Sequence, residues 1–406
     1  MEIFLYCRLN DNFVSHMNRI YTFILATLLI TGCITEGQRH EPDDIVMNHI
    51  YTNVEIIAVP ENENEEGVIE IVFSDEDGNR LHFSTLSSTN YLESGYYGIS
   101  EAAGEPYTAA VSRTEDGGRT VYSGGDMKIA RWNDEYSIRA RLTDDEGRRT
   151  TAWYNGSIPF EWKEPEDFKY DAKGTELKGL TLSSSVLGMD IPYTVCLPEG
   201  YDPGRKYPIL YVLHGLEGDY NDWFMSGKIN SCASWWADKT GTDMIIVSPY
   251  AMNTFYCDGV ENDMAYKTFF FEEFIPHIEK EYSIDAVRSS RAIAGISMGG
   301  YGALYYGLIR PEMFCHVYAC SPATYVGDLV PDLSALARKA VPEDIPCMTI
   351  ETGTEDLLII TTASFIRQLE NNAMAYEYIT RKGYHEWPFW RECTPKVVSK
   401  TGRIFR

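Results

Sequence analysis

The chain has 406 residues, of which 44% are hydrophobic, 13% aromatic and 23% charged, and its net charge is −25. This length accommodates two domains, and the composition is typical of ordered globular protein rather than of disordered or fibrous chains. The charge argues against a nucleic-acid partner, because an acidic surface repels phosphates.

The first 33 residues have the pattern of an export signal. Arg19 precedes the apolar run 20–30, which is too short to span a bilayer comfortably. The run ends in Ile30-Thr31-Gly32-Cys33, which resembles the bacterial lipobox. We therefore expect a signal peptide over 1–33 and lipidation of Cys33, with a start at Met17 more compact than one at Met1. The alternative is an ordinary secretory signal with an incidental cysteine.

The lipobox interpretation predicts an exported bacterial lipoprotein, in the periplasm or on the outer membrane surface, whose only membrane contact is its lipid anchor. The polar residues 34–44 would be its tether. Residues 45–165 then have an all-β pattern, with an apolar strand over 68–73, an Asp/Gly-rich turn over 75–79, and clean alternation over 136–142. Short strands at this spacing predict a β-sandwich-like accessory domain.

The pattern changes after a linker that begins at Glu164-Pro165-Glu166-Asp167. Residues 207–213 and 244–248 are continuous apolar runs, of the kind found in strands buried on both faces. Helix-like segments such as 270–282 lie between and after them. Residues 173–406 are therefore predicted to form an α/β domain with a mostly parallel sheet.

Gly295-Ile296-Ser297-Met298-Gly299 is the most informative motif of the α/β domain. It follows the apolar residues 292–294 and precedes the helix-like segment 301–309. A serine between two glycines at a strand-to-helix turn is typical of a nucleophile elbow, in which the strained turn exposes the hydroxyl group. The motif predicts that Ser297 is the nucleophile of a serine hydrolase.

A serine nucleophile needs a histidine base and a carboxylate that orients it. Two histidines follow Ser297, and we favour His385, in a loop after a late strand-like segment, over His316, in an apolar segment. The acid is expected at the end of the strand between them, where Asp356 is preferred over its neighbour Glu355.

Two backbone N–H groups are expected to stabilise the developing oxyanion. Met298, directly after the nucleophile, would supply one, and Leu216, in the glycine-containing segment 214–218, the other. His214 is expected to brace this segment rather than act as a base. The cysteines that follow Cys33 form no C-x-x-C pair and are expected to be mostly buried free thiols, so the sequence predicts no metal and no cofactor.

Four segments in the order expected for these roles carry a resemblance to a known family: 211–215, 295–300, 353–356 and 383–387. They resemble the putative esterase superfamily, which includes S-formylglutathione hydrolase (esterase D), tributyrin esterase, and feruloyl and acetylxylan esterases. The resemblance covers about 173–390 and implies an α/β-hydrolase fold in which Ser297, His385 and Asp356 form the catalytic triad. It does not extend to the β-rich region.

The export signal and the extra β-region distinguish this chain from the cytosolic S-formylglutathione hydrolases. The resemblance therefore implies a carbohydrate esterase that removes feruloyl or acetyl groups from plant cell-wall xylan, a polysaccharide-linked ester substrate. An aromatic wall for the substrate is predicted from Trp223, Phe255, Tyr256, Trp387 and Trp390. The alternatives are a general short-chain or siderophore esterase, a mycolyl-type acyltransferase and a catalytically inactive glycan-binding surface lipoprotein.

Overall fold

The structure, a computed structural model, describes residues 47–58, 67–87, 95–100, 108–115, 118–132, 135–158 and 170–405. The predicted signal peptide with Cys33, the tether and the start of the linker lie outside the described residues. Among the helices of the described ranges, none is long and apolar enough to cross a membrane.

Residues 47–158 contain strands and turns throughout their described parts. The strands are β1 Met47–Tyr51, β2 Asn53–Ala58, β3 Gly67–Ser74, β4 Arg80–Ser87, β5 Gly95–Ser100, β6 Thr108–Glu115, β7 Gly118–Trp132, β8 Glu135–Asp144 and β9 Arg149–Ser157. We refer to residues 47–158 as the β-region.

Antiparallel pairing connects the β-region in the order β2–β3–β4–β6–β7–β8–β9, and β1 adds to β9 in parallel. Strand β5 pairs with β6 and with the later part of β7. Alternate residues of each strand point inward, so that side chains such as Ile71, Phe83, Val111, Ile138 and Tyr154 share one apolar core. The alternation predicted for 136–142 is observed in β8.

Residues 170–405 form a mixed sheet flanked by helices, as predicted for the α/β domain. Its strands are β10 Thr175–Ser184, β11 Met189–Leu197, β12 Ile209–Leu213, β13 Ile245–Pro249, β14 Arg291–Ile296, β15 His316–Cys320, β16 Cys347–Gly353 and β17 Glu377–Arg381. Its helices are α1 Asp222–Met225, α2 Ile229–Thr240, α3 Tyr266–Phe269, α4 Ile275–Glu281, α5 Met298–Ile309, α6 Leu333–Ala337, α7 Ile359–Asn371 and α8 Trp387–Ile404.

The spatial order of this sheet is β10–β11–β13–β12–β14–β15–β16–β17. The strands from β13 to β17 are parallel, whereas β10 and β11 pair antiparallel at one edge. Both faces are covered: in β12, Tyr211 and Leu213 pack into one apolar cluster while Leu210 and Val212 pack into another. Burial on both faces explains why these strands are continuously apolar in the sequence.

The helix predicted over 270–282 is interrupted in the structure. A π-helical turn, Phe270–Phe274, separates α3 from α4. Pro276 lies in the first turn of α4 and has no N–H to donate to the carbonyl group four residues earlier, which accounts for the break in the regular α-helical pattern.

The two sheets are joined rather than separate. Strand β17 pairs in parallel with the end of β7 at Arg131 and Trp132, and the Arg131 N–H donates to the Tyr376 carbonyl oxygen at 3.0 Å. The buried carboxylate of Glu377 lies 3.2 Å from Arg131 Nη1 and 2.8 Å from Lys400 Nζ. Burial alone would raise the pKa of Glu377, but these two cations lower it, so the carboxylate stays charged at the junction.

Candidate active site

The turn between β14 and α5 holds Ser297 in a strained backbone conformation. Its φ is +54° and its ψ is −113°, in a region that residues other than glycine rarely occupy. A Cβ atom at Gly295 would collide with the carbonyl oxygen of Gly299, and one at Gly299 would collide with that of Leu213. Both flanking positions therefore require glycine, as the elbow motif predicts.

Two further loops bring a histidine and an aspartate to this serine. His385, between β17 and α8, places Nε2 at 2.8 Å from Ser297 Oγ and Nδ1 at 2.7 Å from Asp356 Oδ2. Asp356 follows the end of β16. An ionised carboxylate only accepts hydrogen bonds, so Nδ1 carries the proton and Nε2 is free to accept the serine O–H.

The environments of the two candidate acids differ sharply. Asp356 is buried, and its Oδ1 accepts the Leu358 N–H at 2.8 Å. Burial alone would raise the pKa of Asp356, but the hydrogen bonds and charge of His385 together with the Leu358 N–H lower it. Glu355 is exposed and acts on Tyr384 instead, whose pKa it raises. The structure thus places Asp356, and not Glu355, against His385.

The other histidines considered from the sequence are structural. His316 is buried, its ring nitrogens lie 3.0 Å from Thr401 Oγ1 and 3.2 Å from Thr349 Oγ1, and burial lowers its pKa to about 3. His214 is buried as well, with its pKa lowered by burial to about 4. Its Nε2 accepts the Ala251 N–H at 2.9 Å and its Nδ1 bonds to Gly215 O at 2.7 Å, so it braces the loop after β12.

That loop lies directly beside the serine. A Cβ atom added to Gly215 would lie 3.6 Å from Ser297 Cβ. The neighbouring amides are occupied, since Glu217 N–H donates to Asn253 Oδ1 at 2.9 Å and Gly218 N–H to Gly215 O at 3.1 Å. Within residues 170–405 no acceptor pairs with the Leu216 N–H, and the Met298 N–H opens α5 without a partner in the preceding turn. Both amides remain available to an oxyanion.

The site has the geometry of a serine hydrolase, and comparisons with known proteins agree with it. Residues 184–339 match the putative esterase family. The protein is a carboxylic ester hydrolase of the α/β-hydrolase type.

Individual relatives of this esterase differ in how much of it they match. An acetyl esterase of Caldicellulosiruptor saccharolyticus is 27% identical over 45% of this chain and 79% of its own length. An endo-1,4-beta-xylanase/feruloyl esterase of Xylanibacter ruminicola is 26% identical over 61% of this chain and 34% of its own length. A solved ferulic acid esterase structure is 28% identical, with a TM-score of 0.53 over 58% of this chain and 100% of its own.

The prediction of an aromatic wall against the substrate is wrong for most of the residues assigned to it. Trp223 is fully buried and its Nε1 donates to Leu213 O at 2.9 Å, and Tyr256 is fully buried with its hydroxyl group donating to His214 O at 3.0 Å. Phe255 is also buried, edge-on to Tyr301. Buried in this way, these side chains have almost no surface to offer a substrate.

Two members of the wall do lie next to the site. Trp387 remains half-buried and packs edge-on against Trp390 at a centroid distance of 5.5 Å. Trp390 in turn packs edge-on against the His385 ring at 4.9 Å. Trp390 thus packs behind the imidazole, and Trp387 is the most accessible of the five predicted aromatic side chains.

Exposed apolar side chains on the Ser297 edge of the sheet were not anticipated from the sequence. Six of the twelve exposed large apolar side chains among the described residues follow the carboxyl ends of β12, β15, β16 and β17, on the edge of the sheet that carries Ser297. We call them the apolar rim: Met225, Tyr325, Leu329, Leu357, Ile360 and Tyr384. Contiguous exposed apolar surface marks binding sites, so these six side chains are candidates to contact a substrate.

A second feature missed from the sequence is the clamp that holds the His385 loop. Arg381, the last residue of β17, places Nε at 2.5 Å from Glu351 Oε1 and Nη1 at 2.6 Å from Glu392. Its Nη2 donates to Phe389 O at 2.5 Å, and its guanidinium lies 3.7 Å above the Phe389 ring. Arg381 therefore ties both ends of the loop, the end of β17 and the start of α8, to β16.

Among the described residues, no group of three or more His, Cys, Asp or Glu side chains is arranged to hold a metal ion. No disulfide joins the seven cysteines of the described ranges, and five of them are buried.

We expect Arg381→Gln to lower the kcat of ester hydrolysis by about 10- to 100-fold, because a misplacement of His385 by ~1 Å is enough for such a loss. KM should change little, and Arg381→Lys should recover part of the activity. Arg310→Gln is the matched control, since Arg310 also combines an ion pair with a stacked ring. Steady-state kinetics on 4-nitrophenyl acetate test this, and an unchanged kcat in a folded Arg381→Gln protein would contradict the clamp.

Proposed function

We propose that this esterase cleaves its substrate with a Ser297–His385–Asp356 catalytic triad. The observation that carries the proposal is the continuous chain of hydrogen bonds from Asp356 Oδ2 through His385 to Ser297 Oγ. A lone serine hydroxyl is a poor nucleophile, and a neutral imidazole aligned on it supplies the missing base.

In the acylation step, Ser297 Oγ attacks the ester carbonyl carbon while His385 Nε2 takes the hydroxyl proton. The N–H groups of Leu216 and Met298 stabilise the negative charge that develops on the carbonyl oxygen. His385 then donates the proton to the departing alcohol, leaving an acyl-serine. In the second step, His385 activates a water molecule that releases the acid. Asp356 stabilises the imidazolium form throughout and fixes the orientation of the ring.

We expect Asp356→Asn to lower kcat about 10³-fold or more, because a side-chain amide neither stabilises the imidazolium nor enforces the Nδ1–H tautomer. Glu355→Gln, one residue earlier and exposed, is the matched control and should retain nearly full activity. Kinetics on 4-nitrophenyl acetate with circular dichroism as a folding check make the comparison. The opposite ranking of the two variants would move the acid role to Glu355.

We further propose that the substrate is a feruloyl or acetyl ester of plant xylan, with the feruloyl ester preferred. The apolar rim supports an aromatic acyl group, since a two-carbon acetyl group would leave most of that surface unused. The relatives named as acetyl esterase and feruloyl esterase support a carbohydrate ester in general. The similarity to the ferulic acid esterase structure favours the aromatic acid.

Purified protein incubated with wheat arabinoxylan should release ferulate, and Ser297→Ala should release none. Tyr384→Ala and Leu357→Ala should raise KM for methyl ferulate several-fold while leaving KM for 4-nitrophenyl acetate almost unchanged. Val287→Ala, an exposed apolar residue away from the rim, is the control. Acetate release without ferulate release would assign the acetyl ester. Activity on 4-nitrophenyl acetate with nothing released from arabinoxylan would indicate a general short-chain esterase.

We also propose that the protein is an exported lipoprotein anchored through Cys33, on the strength of the Ile30-Thr31-Gly32-Cys33 motif. Radiolabelled palmitate should be incorporated into the wild-type protein in a bacterial host and not into Cys33→Ala. Cys315→Ala, which removes a partly exposed thiol of the α/β domain, controls for adventitious labelling. Equal labelling of wild type and Cys33→Ala would exclude this anchor.

A further inference from the structure

The β-region carries an open groove remote in sequence from the esterase loops. It has a volume of about 310 Å³ and lies on the outer face of β3, β4, β6 and β7. Strand register fixes its floor: Val72, His82, Ser112 and Val121 stand side by side across the four strands. This volume is at the lower end of the range of about 300–1,000 Å³ typical of ligand sites.

One end of the groove is rich in hydrogen-bond donors. Arg80 on β4 and Arg119 on β7 flank Thr114 in the next row, two strands and roughly 10 Å apart. Arg119 Nε donates to Ser112 Oγ at 3.2 Å, which turns its guanidinium over the floor. The half-buried imidazole of His82 lies two residues along β4 from Arg80, in the row of Ser112. Burial, and then the charges of Arg80 and Arg119, lower the pKa of His82, so near pH 7 the ring is neutral and can both donate and accept.

The other end of the groove offers acceptors and hydroxyl groups. Glu70 stands beside Ser84 in register, and both line the groove. Arg80 also contacts Glu55 at 3.1 Å, but both side chains are largely exposed. Exposed ion pairs are worth only about 0–1 kcal/mol, so a ligand carboxylate can replace Glu55 at little cost. Arg80 and Arg119 thus place two positive charges at one groove on a chain whose net charge is −25.

We propose that this groove binds a uronate, a sugar ring that bears a carboxylate, within an acidic glycan. Guanidinium groups bind carboxylates through paired, charge-assisted hydrogen bonds, which accounts for Arg80 and Arg119. Sugar hydroxyl groups both donate and accept, which matches Glu70, Ser84 and His82. The proposal rests on the proposed function in one respect: the glycan in the groove is expected to be the polysaccharide whose esters are cleaved.

The test uses the Ser297→Ala protein, so that binding is measured without turnover. In affinity gel electrophoresis we expect retardation by glucuronoxylan and much weaker retardation by the same polymer after chemical reduction of its carboxyl groups. The Arg80→Gln/Arg119→Gln double variant should bind glucuronoxylan at least tenfold more weakly. Arg141→Gln is the matched control, because Arg141 is an equally exposed arginine of the β-region in an ion pair with Asp126.

Equal retardation by native and carboxyl-reduced xylan, or by the double variant and Arg141→Gln, would overturn the proposal. Competition experiments distinguish a sugar carboxylate from other carboxylates. Free glucuronate should displace the polymer, and acetate or ferulate at the same concentration should not. Equal displacement by ferulate would assign the groove to a free acid instead of a sugar. Activity on 4-nitrophenyl acetate, measured with Ser297 restored, should be the same in the double variant and wild type, so a failure of the esterase assignment is seen separately.

Discussion

The site depends on the interactions that one fully buried carboxylate, that of Glu351, makes with its neighbours. This carboxylate contacts Arg381 and Lys396 and accepts the Tyr318 hydroxyl group at 2.6 Å, so one charge connects β15, β16, β17 and α8. Burial alone would raise the pKa of Glu351, but the two cations lower it to about 2. Removing one partner from such a buried cluster typically costs ~3–5 kcal/mol, which makes the arrangement of these elements hard to change. Asp356 and His385 follow the ends of β16 and β17, two of the strands that Glu351 connects. The same cluster therefore fixes the distance between Asp356 and His385.

The position of Ser297 is determined instead by backbone sterics. The positive φ of Ser297 is tolerated because the chain around it is fixed: Ser297 N–H donates to Cys320 O at 2.9 Å, and Gly299 packs against the backbone of β12. A strained residue of this kind persists only where its surroundings determine it completely. The elbow and the buried charge cluster therefore fix the two sides of the site independently, and the triad forms where they meet.

These two rules explain what could be predicted from the sequence. The elbow, Asp356 and His385 are properties of short segments, with residue types dictated locally, so they could be located by motif and chain order. Trp223 and Tyr256 were misassigned because an aromatic residue near a motif gives no information on which way its side chain points, and burial is decided by distant elements. Arg381 and Glu351 escaped notice because a buried ion pair between strands 30 residues apart leaves no periodic pattern. The pairing of β7 with β17 is likewise a tertiary contact, and it was missed for the same reason.

That joining gives the β-region a geometric relation to the esterase site. A single strand, β7, contributes Arg119 and Val121 to the groove at its start and pairs with β17 at its end through Arg131 and Trp132. The twelve residue steps from Arg119 to Arg131 span at most about 40 Å, and less because a bulge near Gly124 bends the strand. His385 follows β17 by four residues. Because β7 runs parallel to β17, its start lies toward the amino ends of the esterase strands, whereas Ser297 and His385 follow their carboxyl ends. The groove and the serine therefore lie toward opposite ends of these strands, and only an extended glycan chain could reach from one to the other.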